Sequence, residues 1–232
     1  MVQDELTAQG VNVTHVEAQN LYRHRFTDRD RQTKAKVWQV IVSSFLQQWI
    51  APDHVVLDLG CGDGEFLTYI RCARRVGVDG NPDAARNLES GIEFHHGNIS
   101  DLSFLPNDHV DVSFTSNVLE HLASKDEVEQ VVCEARRVLK PGGQFIALGP
   151  NLRFLPGSYW DFWDHHIPLT DRSLVELLTT LDFRVVTCYP RFLPYTTRSA
   201  LPQAPQLVWL YLKCPPLWKF MGKQFLIRAI KV

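Results

Sequence analysis

No Cys-x-x-Cys pair occurs in this chain, and its five cysteines, Cys61, Cys72, Cys133, Cys188 and Cys214, are odd in number and widely scattered. Neither a zinc knuckle nor a disulfide framework is suggested, so a reducing cytoplasm is the expected compartment. Positive charge is not in excess either: 24 Lys and Arg face 26 Asp and Glu, a formal net charge of -2. A protein held mainly by nucleic-acid phosphates is therefore not expected. No window approaches eighteen apolar residues, and the first twenty residues, with Asp4, Glu5 and Glu17, hold no apolar export core. Internal repeats and low-complexity segments are also missing.

What is present suffices for one substantial core, since 45% of the 232 residues are hydrophobic. A single domain over 1–232 is expected, with a helical cap at 1–52, a ligand-binding half at 53–150, and insertions at 151–170 and 190–222. Trp38, Ile41, Val42, Phe45, Leu46 and Trp49 recur every three or four residues and predict one helix ending near Pro52. From Val55 the pattern alternates between short apolar runs and helical stretches: strands at Val55 to Leu59, Arg75 to Val78, Ile92 to His95 and Val110 to Thr115, helices at Glu65 to Arg71 and Pro82 to Glu89. That rhythm belongs to βαβ units on a buried parallel sheet. A helix carrying Val128, Val131, Val132, Ala135 and Val138 stops at Pro141-Gly142-Gly143, before a strand over Gln144 to Leu148. Thr170 and Ser173-x-x-Glu176 supply caps for a further helix; strands follow near Phe183 to Cys188 and Phe225 to Val232. Both insertions, rich in proline and aromatics, are expected above the carboxyl ends of the strands, where open α/β sheets bind ligands.

Directly after the first strand stands Gly60-Cys61-Gly62-Asp63-Gly64. A dinucleotide fingerprint places its third glycine three residues after the second; here the gap is two, and Asp58 stands where those folds carry an apolar or small residue. A Tyr-x-x-x-Lys pair, which a nicotinamide dehydrogenase reading would want, is also missing. Asp58-x-Gly60-x-Gly62-x-Gly64 instead resembles motif I of the class I S-adenosylmethionine-dependent methyltransferases. "VGVDGNP", "GNISDL", "DVSFTSNVLEHL" and "EARRVLKPGGQF" continue the resemblance in order, from about Tyr22 to the end of the chain. It implies a Rossmann-like, seven-stranded, mostly parallel sheet with helices on both faces and an antiparallel last strand. It also implies S-adenosylmethionine as cofactor, its methionine end cradled by Asp58, Gly60, Cys61 and Gly62. Asp79 and Gly80 would hold the ribose, Asn98 and Ile99 would flank the adenine, and Ser116 and Asn117 would close the site after the fourth strand. Tyr22 and Arg25 would fold over the cofactor. Their run, "YRHRFTDRDRQTKAK", reads equally as a solvated, partly self-paired helix start.

Methyl transfer asks the enzyme to align the acceptor and, for a hydroxyl, to take its proton. Imidazole is suited to that near neutral pH, which makes His121 and the adjacent His165 and His166 the candidate bases. The insertion pair is favoured because such a segment can close on the acceptor, although each histidine also reads as a packed or loop-bonding side chain. Glu120-His121 resembles part of the Glu-x-x-Glu-His metal site of certain O-methyltransferases. Here Asn117 occupies the first glutamate position, so no metal is expected. "SNVLEHL", "PNLRFLPGSYWDFWDHHIPLT" and "RFLPYTTRS" resemble a bacterial group associated with glycan or secondary-metabolite assembly. The expected acceptor is thus a small molecule or a glycan- or lipid-linked one, with a non-catalytic cofactor-binding subunit as the alternative. The aromatic, cation-bearing stretch from 190 to 222 reads as a roof over the site, as a homodimer contact or as a peripheral membrane contact.

Overall fold

The computed structural model describes residues 28–195 and 204–232. One sheet holds β1 Val55–Leu59, β2 Arg74–Asp79, β3 Ile92–His96, β4 Val110–Ser116, β5 Leu139–Pro150, β6 Phe183–Leu193 and β7 Gln224–Lys231. The spatial order is β3-β2-β1-β4-β5-β7-β6. Strands β1 to β5 pair in parallel, and β7 runs antiparallel to both β5 and β6. Continuous apolar runs such as Val55-Val56-Leu57 suit strands covered on both faces. The helices are α1 Asp28–Ser44, α2 Glu65–Tyr69, α3 Lys125–Val138, α4 Asp171–Thr180, α5 Pro205–Leu212 and α6 Pro215–Met221. On one face Leu57, Leu59, Val76 and Val78 meet Val131 and Val132 of α3 and Leu174 and Leu178 of α4. On the other, Val56, Val112 and Phe114 share a core with Ile41 of α1, Phe66 of α2, Leu212 of α5 and Trp218 of α6.

Three local expectations are corrected. The stripe from Trp38 to Trp49 is not one helix: α1 ends at Ser44 and a separate 3-10 turn spans Leu46–Trp49. Phe45 sits at the break, its ring 4.7 Å from Phe192 and 5.6 Å from Trp218. Between β2 and β3 the helix shrinks to a 3-10 turn, Pro82–Arg86, capped by Asn81. In α4 the expected cap at Thr170 is present, with Ser173 rather than Glu176 completing the capping box.

The insertions leave from the carboxyl edge of the sheet. Residues 151–170 form two 3-10 turns, Leu152–Phe154 and Ser158–Asp161, closed at the base by Leu152 N donating to Leu169 O at 3.0 Å. The fully buried Tyr159 pins the return, its hydroxyl donating to Ile167 O and accepting from Leu169 N. Asn151 ties this insertion to three other segments. Its side-chain nitrogen donates to Asp171 Oδ1 at 2.7 Å and to Pro190 O at 2.9 Å, and its backbone N donates to Lys223 O. In the second insertion, β6 runs on to Leu193, and α5 and α6 lead back into β7 while α5 packs on α1.

Candidate active site

The glycine turn leaves β1 with Gly60, Gly62 and Gly64 all at positive φ, +75°, +52° and +76°. Side chains are excluded by the protein's own neighbours. A Cβ on Gly60 would lie 2.4 Å from Val118 Cγ2, and one on Gly64 2.2 Å from Leu88 Cδ2. The loop after β4 is thereby packed directly on the turn. Asp79, ending β2, accepts from Gly62 N at 2.8 Å and from Asn81 N at 2.7 Å, which fixes both the turn and its own carboxylate. Asp58 is buried beneath. Burial, then the charges of Asp79 and Glu65, hold its carboxyl well above the usual carboxylate range, against the opposing effect of Lys34. Burial likewise raises Asp79, offset in part by the two backbone donors. The Cys61 thiol is pushed up by burial first and then by Asp58 and Asp79, so it is an unreactive wall of the turn.

Part of the basic run before the core also reaches this turn. Lys34 Nζ lies 2.7 Å from Glu65 Oε1 and Arg31 Nη1 3.8 Å from Asp63 Oδ2. Sequence reasoning assigned neither; their i, i+3 spacing on α1 was the available signal. Tyr22 and Arg25 lie outside the described residues.

A second cluster stands beyond the carboxyl end of β4. Glu120 is 2% exposed and accepts through its backbone oxygen from the amides of His166 and Ile167, at 2.8 and 3.1 Å. This holds the first insertion on the β4 loop and orients its two histidines oppositely. His165 is buried; its ring stacks on Phe162 at 5.1 Å and meets that of His121 at 4.8 Å. His166 is exposed, and its side chain stands apart from the buried His165. His121 keeps 31% of its side chain exposed. Its Nδ1 donates to Asp164 O at 2.7 Å, which leaves Nε2 as the acceptor nitrogen, 3.9 Å from Glu120 Oε1. Burial pushes the Glu120 carboxyl up to about 7, with His121 pulling the other way. Ligand-type atoms of Glu120, His121 and His165 lie within 4.8 Å of one another, a set able to pass a proton or to hold a divalent ion. The sequence brings Glu120 and His121 together by adjacency and offers His165 as a candidate beside them; that Glu120 joins both imidazoles is visible only in the fold.

The remaining predicted residues take varied places. Ser116 ends β4 and Asn117 follows it; Asn117 has φ +53° and donates through Nδ2 to Ser116 Oγ at 3.0 Å. The Gly80 carbonyl is 3.1 Å from His96 Nε2. Asn98 is exposed and accepts from Ser100 N, whereas Ile99 is buried in the core beside Leu102.

Residues 57–147 match the family model described as a methyltransferase domain. This segment is thus similar to methyltransferase domains over the part of the chain that carries the glycine turn and β1 to β5. Over 137 residues the chain is 36% identical to a probable S-adenosylmethionine-dependent methyltransferase of Mycolicibacterium smegmatis, covering 56% of this chain and 52% of that protein. It is 30% identical over 148 residues to a demethylmenaquinone methyltransferase of Symbiobacterium thermophilum, covering 56% and 57%. The chain therefore spans about half the length of these curated relatives. The fold is shared with an S-adenosylmethionine-dependent methyltransferase from Archaeoglobus fulgidus, at TM-score 0.64 and 19% identity over 85% of this chain and 94% of that one.

The cofactor that this likeness implies is S-adenosylmethionine, and the donor set fits it. Asp58 and Asp79, with Glu65 beside them, make a concentration of negative charge that Lys34 partly offsets. A ligand with an ammonium and a sulfonium supplies the missing positive charge. Asp79 keeps unused lone pairs on both oxygens for hydroxyl donors, since each accepts one backbone N–H.

Proposed function

We propose that the chain transfers a methyl group from S-adenosylmethionine to a hydroxyl oxygen of a small-molecule or glycan- or lipid-linked acceptor, with His121 as the base. The observation that carries this reading is the orientation of His121: one ring nitrogen held by Asp164 O, the other bare and facing a buried carboxylate. S-adenosylmethionine, when bound, supplies an activated methyl group that is displaced in line. The chain's own residues would hold it through Asp58, the glycine turn and Asp79. His121 Nε2 takes the acceptor's proton, and Glu120 stabilises the resulting imidazolium across 3.9 Å. His165, packed among Phe162, Tyr159 and Tyr195, backs the pair and shields it from water. This reverses the preference for the insertion histidines, because His165 is turned inward and His121 is the more accessible ring. The resemblance of "PNLRFLPGSYWDFWDHHIPLT" to glycan-associated bacterial enzymes supports the acceptor class.

The test is methyl transfer from isotopically labelled S-adenosylmethionine to extracts separated into lipid-linked, free glycan and small-molecule fractions. Label in an ether of one of the last three classes that is lost with His121→Gln supports the reading. Cofactor binding with no transfer to any fraction favours the subunit alternative instead.

A further inference from the structure

We propose that the face built by α5 and α6 docks on the surface of an anionic phospholipid bilayer. From Phe183 to Val232 the chain has eight Lys or Arg and no Asp or Glu, so the other sixteen Lys or Arg and all 26 acids leave -10 on residues 1–182. The last segment is thus a cationic body on an acidic protein.

Apolar side chains stand among these cations. Leu207, Trp209 and Leu210 on α5 and Leu217 and Phe220 on α6 are exposed, Phe220 to 78%. The opposite sides of both helices are anchored. Trp218 Nε1 donates to Tyr211 O at 2.8 Å and Tyr211 Oη to Phe192 O at 2.7 Å, with all three side chains buried. The outward apolar face is therefore held by the core rather than free to turn inward. Lys213, Lys219 and Lys223 are exposed along it. The Arg191 guanidinium is moored beside Phe220, donating to Phe220 O and Gly222 O at 2.8 Å.

Apolar and aromatic residues between cations match an interface that offers acyl chains at depth and phosphates above. A second copy of the chain fits poorly, since a symmetric contact would press this lysine-bearing face, with no Asp or Glu from Phe183 to Val232, against an equally cationic one. The helices lie on rather than across the bilayer: no helix among the described residues is long and apolar enough to span one. They also connect Leu193 to Gln224 at the carboxyl edge of the sheet, the edge that carries the active site. Docking there would bring the site to the membrane surface.

The proposal does not depend on methyl transfer, and its test reads binding alone. The full chain is sedimented with vesicles of phosphatidylcholine, with or without about one third phosphatidylglycerol. At least tenfold stronger association with the anionic vesicles, weakened by salt, is expected. Leu210→Ser with Phe220→Ser, and separately Lys213→Gln with Lys219→Gln, should each reduce it about tenfold or more at unchanged melting temperature, because these side chains are exposed. Equal binding to both vesicle types, or none at low salt, overturns the proposal. So does a dimer in light scattering that the Leu210 and Phe220 substitutions dissociate, which would assign the face to a second copy.

Discussion

His121 Nδ1 lies 2.7 Å from the backbone oxygen of Asp164, and this one bond decides which edge of the imidazole looks toward Glu120. Since a carbonyl only accepts, Nδ1 is the donor in this bond, and Nε2 is the nitrogen left to take a proton. His121→Gln is expected to lower turnover by about 10² to 10⁴ with cofactor affinity unchanged. His166→Gln, on an exposed ring, should change it little. Single-turnover rates and calorimetric cofactor binding on both variants check this; equal losses in the two would overturn the assignment.

Asp79→Ala should weaken S-adenosylmethionine binding by roughly tenfold to a hundredfold, the loss of hydrogen bonds to a charged acceptor. It should also loosen the turn, because Gly62 N and Asn81 N lose their acceptor. In a thermal-shift assay the cofactor and its demethylated product should stabilise the native chain, and NAD should not. A shift with NAD alone would refute the cofactor assignment.

Glu120 has a folded-state pKa near 7 against an ordinary value of 4.5, raised by burial. The folded protein therefore binds this proton more tightly than the unfolded chain. Its contribution favours folding below pH 4.5 and is lost as pH rises to about 7, by at most ~3 kcal/mol. Glu120→Gln should consequently be more stable than the native chain at pH 8 and nearly equal at pH 4. Denaturant unfolding at the two pH values measures the crossing. Turnover should run the opposite way and rise through pH 7, as the carboxylate that supports the imidazolium forms.

Gly60→Ala meets two separable costs, ~1–2 kcal/mol for a left-handed φ and ~1–3 kcal/mol for the collision with Val118. Adding Val118→Ala should recover only the second. A double-mutant cycle in urea reads the coupling, and complete recovery would mean that backbone conformation carries no cost here.

With Glu120, His121 and His165 within 4.8 Å, added zinc should inhibit by occupying the base, and a chelator should leave turnover unchanged. Activity lost to a chelator and restored by one divalent ion would assign the cluster to a metal instead.

Strands β1 and β4 were legible in the sequence for different reasons: Val55-Val56-Leu57 is a continuous apolar run, whereas Val110, Val112 and Phe114 alternate with Asp111, Ser113 and Thr115. The Pro82 helix was misjudged for a tertiary reason: Asn81-Pro82 signals a start, but Leu88 is drawn over Gly64 and the chain must turn after one cycle. His165 and His166 could not be told apart, since the amides of His166 and Ile167 that set this stretch bind the carbonyl of Glu120, far earlier in the chain. Asn151 gave no signal at all. Its partners Asp171, Pro190 and Lys223 are neighbours only once β5, β6 and β7 are assembled.

The position of β7 between β5 and β6 also sets an order of assembly during synthesis. Until residues 224–231 have been made, β6 has no neighbour in the sheet and the outer edge of β5 pairs with nothing in its own chain. Translation thus passes through an interval, opening as Pro150 emerges and closing with Lys231, in which β5 presents a bare apolar edge. A second nascent chain can join that edge, so slow decoding between these points should favour aggregation while slow decoding before β5 should not.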